Sequence, residues 1–327
     1  MLTILGHSLP FFLLVFGGYV AARRRWLGLD ALPGLNTFVL FFALPALLFR
    51  LGRELAQQAQ VAQVAALLLV YGLASLGLCA LAWRWLRRHG RSRLDSGMAT
   101  LAAAFPNSGF LGVPLIASLL GPAAAAPVVA TIAVDLLFTS TLCLALAGSA
   151  PGGADGQAPG PAWLQALRPA LRNPLAWSIA LGLLAGALQL QGPAAVEHSV
   201  ALLAQAASPT ALFALGLALR RTELAAQGQT HGERRQARRE ALGLAGLKLL
   251  VHPLLVGALA ALALRQGLLG PEALAVLVLV AALPCAANVA LLTERVGADN
   301  ALVSRAILLS TLLALGSLPL LAWWLRA

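Results

Sequence analysis

The sequence predicts an all-α polytopic membrane protein: ten transmembrane helices forming two inverted five-helix repeats, with broken helices at positions 4 and 9. Three observations lead there. Of 327 residues, 60% are apolar and only 11% charged, whereas a soluble domain has about 45–50% and about 25%; mean hydropathy is +0.83. Apolar runs of about 20 residues, the length needed to cross a bilayer, recur ten times. Proline-bearing landmarks then fall at matching places in the two halves. Together these exclude an ordinary soluble enzyme, a disordered chain and a disulfide-stapled secreted module.

The runs fall at 2–22, 35–52, 61–83, 97–120 and 123–147, and then at 173–191, 198–219, 241–264, 272–293 and 300–325. The first is read as a span and not a cleaved leader, because no charge precedes it and Arg23, Arg24 and Arg25 follow it. Residues 1–147 make one five-helix repeat, 148–172 a cytoplasmic connecting loop rich in Gly, Pro and Ala, and 173–327 the second repeat. Asn173-Pro174 reads as a helix start, with Asn able to cap and Pro at the first helical position.

Orientation follows from charge. The odd-numbered connections carry a net +9, while the even-numbered connections and the termini carry +1. Arg and Lys collect in cytoplasmic loops, so both termini are expected outside. The same rule accounts for the net charge of +11, and no nucleic-acid partner is expected.

Five spans per half place the halves in opposite orientations, the topology of an inverted repeat. Pro45 in run 2 answers Pro209 in run 7, and Pro106 in run 4 answers Pro284 in run 9. A proline inside a span frees a carbonyl that hydrocarbon cannot satisfy, so broken helices belong inside protein or beside a cavity. Run 4 gathers Pro106, Asn107, Ser108 and Gly109; run 9 answers with Pro284 and Asn288. Two such clusters in opposed halves point to a transporter binding site; two packed kinks are the plainer alternative. A half-helix starting inside the membrane presents free N–H groups and positive partial charge. With the Asn107 and Asn288 amides, this makes a small carboxylate the expected guest.

Five segments then carry a family resemblance: LNTFVLFFALPALLFR in run 2, FPNSGFLGVPL in run 4, NPLAWSIALGLL in run 6, KLLVHPLL in run 8 and LPCAANVALLTERVGAD in run 9. In this order they resemble the auxin efflux carrier family, whose bacterial members are organic-acid permeases of the inner (cytoplasmic) membrane. The resemblance implies a scaffold of helices 1, 2, 6 and 7 that dimerises, and a mobile transport domain of helices 3–5 and 8–10. It implies that helices 4 and 9 cross at Pro106 and Pro284, with Asn107 and Asn288 facing the carboxylate. The long central loop of plant members is absent, since 148–172 is short.

Ionisable residues within spans are functional candidates. Asp135, Lys248 and His252 are the expected coupling or ion-pair residues; Arg305 lies close enough to a membrane face to snorkel, and His7 reads as structural. Asp135 and Lys248 sit about 11–12 Å from the cytoplasmic face of a roughly 30 Å core and are expected to pair directly or through water. No cofactor and no metal set is expected, only a coupling proton or sodium ion. Gly182 and Gly186, at small-residue spacing, suit helix packing or a dimer seam. Cys79, Cys143 and Cys285 read as small apolar residues. A sodium- or proton-coupled antiporter of related fold is the rival within transport, though it usually presents paired carboxylates. An intramembrane enzyme is remote, because the chain has no GxSG, no HExxH and no second Asp within a span.

Overall fold

The computed structural model describes residues 2–58, 61–148, 173–225 and 231–326, and every regular element among them is helical. The connecting loop expected over 148–172 lies, after Gly148, outside the described residues, as does the side chain of His7. Among the described residues, six helical stretches are long and apolar enough to cross a membrane: Ala31–Gln57, Ala62–Arg88, Ala123–Ala147, Ala194–Leu224, Ala237–Arg265 and Asn300–Leu325. They contain runs 2, 3, 5, 7, 8 and 10. Runs 1, 4, 6 and 9 supply shorter apolar helices, runs 4 and 9 because each is split. Several helices outlast their apolar runs. The helix of run 8 begins at His231 and not near 241, because Glu, Arg, Gln and Ala are good helix formers in water.

Four π turns interrupt the described helices, and three have one local cause. Val39–Ala43, Ser108–Gly112 and Leu247–Val251 each stop two residues short of a proline: Pro45, Pro114 and Pro253. A mid-helix proline lacks its N–H and crowds the carbonyl four residues back; the extra residue of a π turn relieves that crowding. The fourth turn, Asp135–Thr139, has no proline, and the Ser140 hydroxyl donates to the Asp135 carbonyl at 2.7 Å.

The helices sort by packing into two groups. Leu2–Arg23 lies against Ala194–Ala225, and Pro174–Ala187 against Leu44–Gln58. Thus run 1 pairs with run 7, and run 6 with run 2. Runs 3, 4, 5, 8, 9 and 10 pack chiefly among themselves. Glycines set the first group's close approaches. A methyl on Gly18 would stand 2.0 Å from the Phe213 carbonyl oxygen, and one on Gly216 2.1 Å from that of Val15. Gly182 and Gly186 face the backbone of Phe49 and Arg53, at 2.3 and 2.4 Å by the same measure. These two glycines therefore serve packing within the chain, and the face they occupy is not open to a second copy. Large apolar residues such as Phe16, Phe41, Leu69, Leu73, Leu250 and Leu254 stand on the outside of the bundle, where a lipid solvent suits them.

Candidate functional site

Run 4 is helical over Arg93–Ala104, breaks at Phe105–Asn107 and resumes with the π turn at Ser108. Run 9 is helical over Pro271–Ala281, breaks, and resumes over Asn288–Arg295. The two breaks meet. The Asn107 N–H donates to the Pro284 carbonyl at 2.9 Å, and the Ala286 N–H donates to the Phe105 carbonyl at 3.0 Å. This is an antiparallel bridge of Pro106 on Cys285, a minimal piece of sheet between two broken helices. Run 10 completes it: the Cys285 N–H donates to the Ser310 hydroxyl at 3.1 Å. Backbone groups that a break would strand in hydrocarbon are thereby satisfied.

Side chains at the crossing are not all satisfied. Asn107 and Ser108 are buried, yet the Asn107 Nδ2 and Ser108 Oγ find no partner among the described residues; nor does Asn288 Oδ1. Leaving a buried polar atom unpaired costs about 1–3 kcal/mol, so three around one crossing mark a place that a polar guest can complete. The two amide atoms of Asn288 exchange by a simple flip, so its unpaired end offers a donor as readily as an acceptor. Gly109 lies in the π turn of run 4, where a Cβ would come within 3.3 Å of Leu44. Pro106 supplies the break and Pro284 the accepting carbonyl.

Beside the crossing lies a buried polar cluster. Asp135 accepts from the Tyr71 hydroxyl at 3.0 Å and the Thr139 hydroxyl at 3.2 Å. Lys248 Nζ stands 2.7 Å from His252 Nδ1 and donates to the Ala281 carbonyl at 2.9 Å. His252 Nε2 lies 3.5 Å from the Ser75 hydroxyl, and its ring tilts against that of Tyr71 with centroids 5.6 Å apart. The direct Asp135–Lys248 ion pair expected from their depth is not among the ion pairs of the described residues. Both charges lie in π turns and turn to other partners, within one cluster bridged by Tyr71 and His252. Among the described residues no three His, Cys, Asp or Glu side chains gather as a metal site would require.

A narrow cleft lies between the two helix groups. Its polar lining is Asn36, Arg221, Thr222, Asn288 and Ser304. Arg221 donates through Nη2 to Glu294 at 3.1 Å. At the same end of the second group, Arg91 donates through Nε to Glu240 at 2.9 Å and through Nη1 to Asp299 at 2.7 Å. The Asp299 N–H donates to Asp95 at 2.7 Å. Burial alone would lower the Arg91 pKa; its two carboxylate partners more than offset this and hold it above the ordinary arginine value. In the first group, Arg53 makes two bonds to Glu197, at 2.6 and 3.0 Å.

Tyr71, Asn36 and Arg221 are among the residues of these clusters that a reading of the sequence does not single out. Tyr71 carries a usable signal, being one of two tyrosines in the chain and sitting mid-run, where a buried hydroxyl needs a partner. Arg221 looks in sequence like loop charge alone.

Apolar helices with three unpaired buried polar atoms around two crossed breaks are what a membrane transport protein would present. The chain is a member of the membrane transport protein family, which matches residues 3–322 and is the auxin efflux carrier family that its motifs resemble. A Rhizobium meliloti (strain 1021) protein named "Putative malonate transporter" is 30% identical over 334 residues, covering 100% of this chain and 97% of its own length. An "Uncharacterized transporter" of Methanothermobacter thermautotrophicus is 31% identical over 94% of this chain and 93% of its own. "Uncharacterized transporter YfdV" of Escherichia coli (strain K12) is 29% identical over 67% of this chain and 70% of its own. Family and relatives alike are transporters, so the chain is a transporter and not an enzyme.

Proposed function

We propose that the chain is a secondary active transporter of small organic anions, mono- or dicarboxylates, working across the cytoplasmic membrane by elevator-type alternating access. The observation that carries this reading is the crossing. Two breaks from different halves hold each other by reciprocal backbone bonds, and the polar atoms left over, Asn107 Nδ2, Ser108 Oγ and Asn288 Oδ1, surround it. In this reading the substrate carboxylate completes that set, with the half-helix N-termini favouring its charge. The name of the Rhizobium relative brings malonate into the substrate range.

The architecture we infer is ten spans in two inverted five-helix repeats. The exchanged pairing of run 1 with run 7 and run 6 with run 2 supports it, as do the paired breaks. Runs 1, 2, 6 and 7 are then the scaffold, and runs 3–5 and 8–10 the transport domain that moves past it. Arg221 lines the cleft between the two groups just after run 7, on the side that the charge distribution assigns to the cytoplasm in this reading. Both termini are outside. A homodimer would use the outer face of run 6, where Trp177, Leu181 and Leu184 stand exposed opposite the packed glycines.

Reconstituted into liposomes, the protein should exchange external labelled malonate for internal unlabelled malonate without a supplied gradient. Absence of exchange for every small mono- and dicarboxylate, in protein that is monodisperse, would overturn the reading. A second reading, a sodium- or proton-coupled antiporter, is favoured by one observation: a fully buried carboxylate, Asp135, held by two hydroxyls. It requires sodium or proton exchange in the absence of any carboxylate.

A further inference from the structure

We infer that Arg221 receives the second carboxylate of a dicarboxylate substrate, and that Glu294 holds that position between substrates. The inference rests on the carboxylate-transport reading and deepens it by choosing between mono- and dicarboxylates.

Arg221 lines the same cleft as Asn288, the asparagine that starts the second half of run 9. The other polar side chains of the cleft, Asn36, Thr222 and Ser304, are neutral, and the rest of the lining is apolar. A monocarboxylate leaves no charge over once its carboxylate is held at the crossing. A dicarboxylate brings a second negative charge into the cleft, where a cation that suits a carboxylate attracts it. Arg221 is the cation that lines that cleft.

Its contacts leave it free to exchange. A guanidinium has five N–H donors in a fork that suits a carboxylate. Arg221 gives one of them, at 3.1 Å, to Glu294. Both side chains are partly open to solvent, at 35% and 56% exposure, and such pairs are weak. Arg53 and Arg91 differ: each grips its carboxylates through two or more bonds. The Glu294 carboxylate is chemically what a bound dicarboxylate would present, so it can stand in for the ligand.

The location gives the exchange a consequence. Of the five ion pairs between described residues, Arg221–Glu294 alone joins the two helix groups, run 7 to the end of run 9. A dicarboxylate that takes Arg221 from Glu294 therefore also unfastens the groups at this end of the cleft. A monocarboxylate leaves the fastening in place.

The test is binding of malonate and acetate to the detergent-solubilised full chain, measured by thermal shift and calorimetry. Arg221→Gln should weaken malonate by about tenfold, the loss expected for one charge-assisted contact, and change acetate by less than about twofold on the same scale. Glu294→Gln should tighten malonate, because its competitor is gone. Equal weakening of both anions by Arg221→Gln, or unchanged malonate affinity, would overturn the inference. Should Arg221→Gln fail to fold, Glu294→Gln decides alone: no tightening of malonate sinks the proposal. Wild-type protein that binds neither anion overturns the carboxylate reading itself. Wild-type protein that binds both, with malonate untouched in Arg221→Gln, overturns only the role of Arg221.

Discussion

The Lys248 side chain donates to the carbonyl of Ala281 at 2.9 Å, and Ala281 is where the first half of the ninth helix ends. A cation at a helix C-terminus meets its negative partial charge, and here it does so inside the bundle. The same side chain stands 2.7 Å from His252 Nδ1, and the other ring nitrogen of His252 faces the Ser75 hydroxyl at 3.5 Å. Lys248→Met keeps the stem and removes the donor. The variant should lose about 1–3 kcal/mol of stability through the stranded carbonyl, read as a lower melting temperature. A wild-type melting curve would mean that the contact caps nothing.

Asn107→Ala and Asn288→Ala should each weaken carboxylate binding by about 1.5–3 kcal/mol, the range for a hydrogen bond to a charged group. Each removes a group with an unpaired buried atom, so neither should lower the melting temperature of unliganded protein. Titration of the two variants decides it: unchanged affinity in both returns these residues to a packing role.

Asp135→Asn keeps the shape of the cluster while removing its carboxylate. We expect ion-coupled uptake to vanish, along with its pH or sodium dependence, while counterflow exchange of substrate continues. Uptake with unaltered pH and sodium dependence would remove Asp135 from coupling. Tyr71→Phe, which deletes one of the two hydroxyls on Asp135, should alter ion dependence more than substrate affinity.

Gly216→Ala places a methyl 2.1 Å from the Val15 carbonyl oxygen and near the Tyr19 N–H. Backbone cannot step aside as a side chain can, so overpacking here should cost at least about 1–3 kcal/mol. Gly246→Ala is the control, because nothing lies within 4 Å of its Cβ position. Equal melting temperatures for the two variants would refute the close approach of runs 1 and 7.

The orientation can be read with one thiol. The three native cysteines are buried, and His89 is exposed in the connection after run 3. His89→Cys should react in intact cells only with reagents that cross the membrane. Reaction with an impermeant reagent would invert the topology.

Much of this is legible in the sequence, and the remainder has physical causes. Pro106 and Pro284 announce the breaks because proline's missing N–H is a local fact. That Asn107 bonds to Pro284 and Ala286 to Phe105 is a tertiary fact, which no spacing within either half encodes. The constant rise of a helix places Asp135 and Lys248 at similar depth. It does not give their directions, because a π turn adds a residue and rotates the rest of the helix by about 100°, and both charges lie in such turns. Gly182 and Gly186 declare a close approach, but not that the partner is run 2.

The bridge between the two breaks also dictates an order of assembly in the membrane. The first half of the chain emerges from the ribosome with the Phe105 carbonyl and the Asn107 N–H aimed at partners that have not yet been synthesised. Lipid cannot supply substitutes, so run 4 cannot settle as a broken helix until run 9 arrives. Until then it must stay near the insertion machinery, keep its break wet, or borrow a partner from another membrane protein. The halves are therefore co-dependent in biogenesis: at the crossing each supplies the backbone partners that the other lacks.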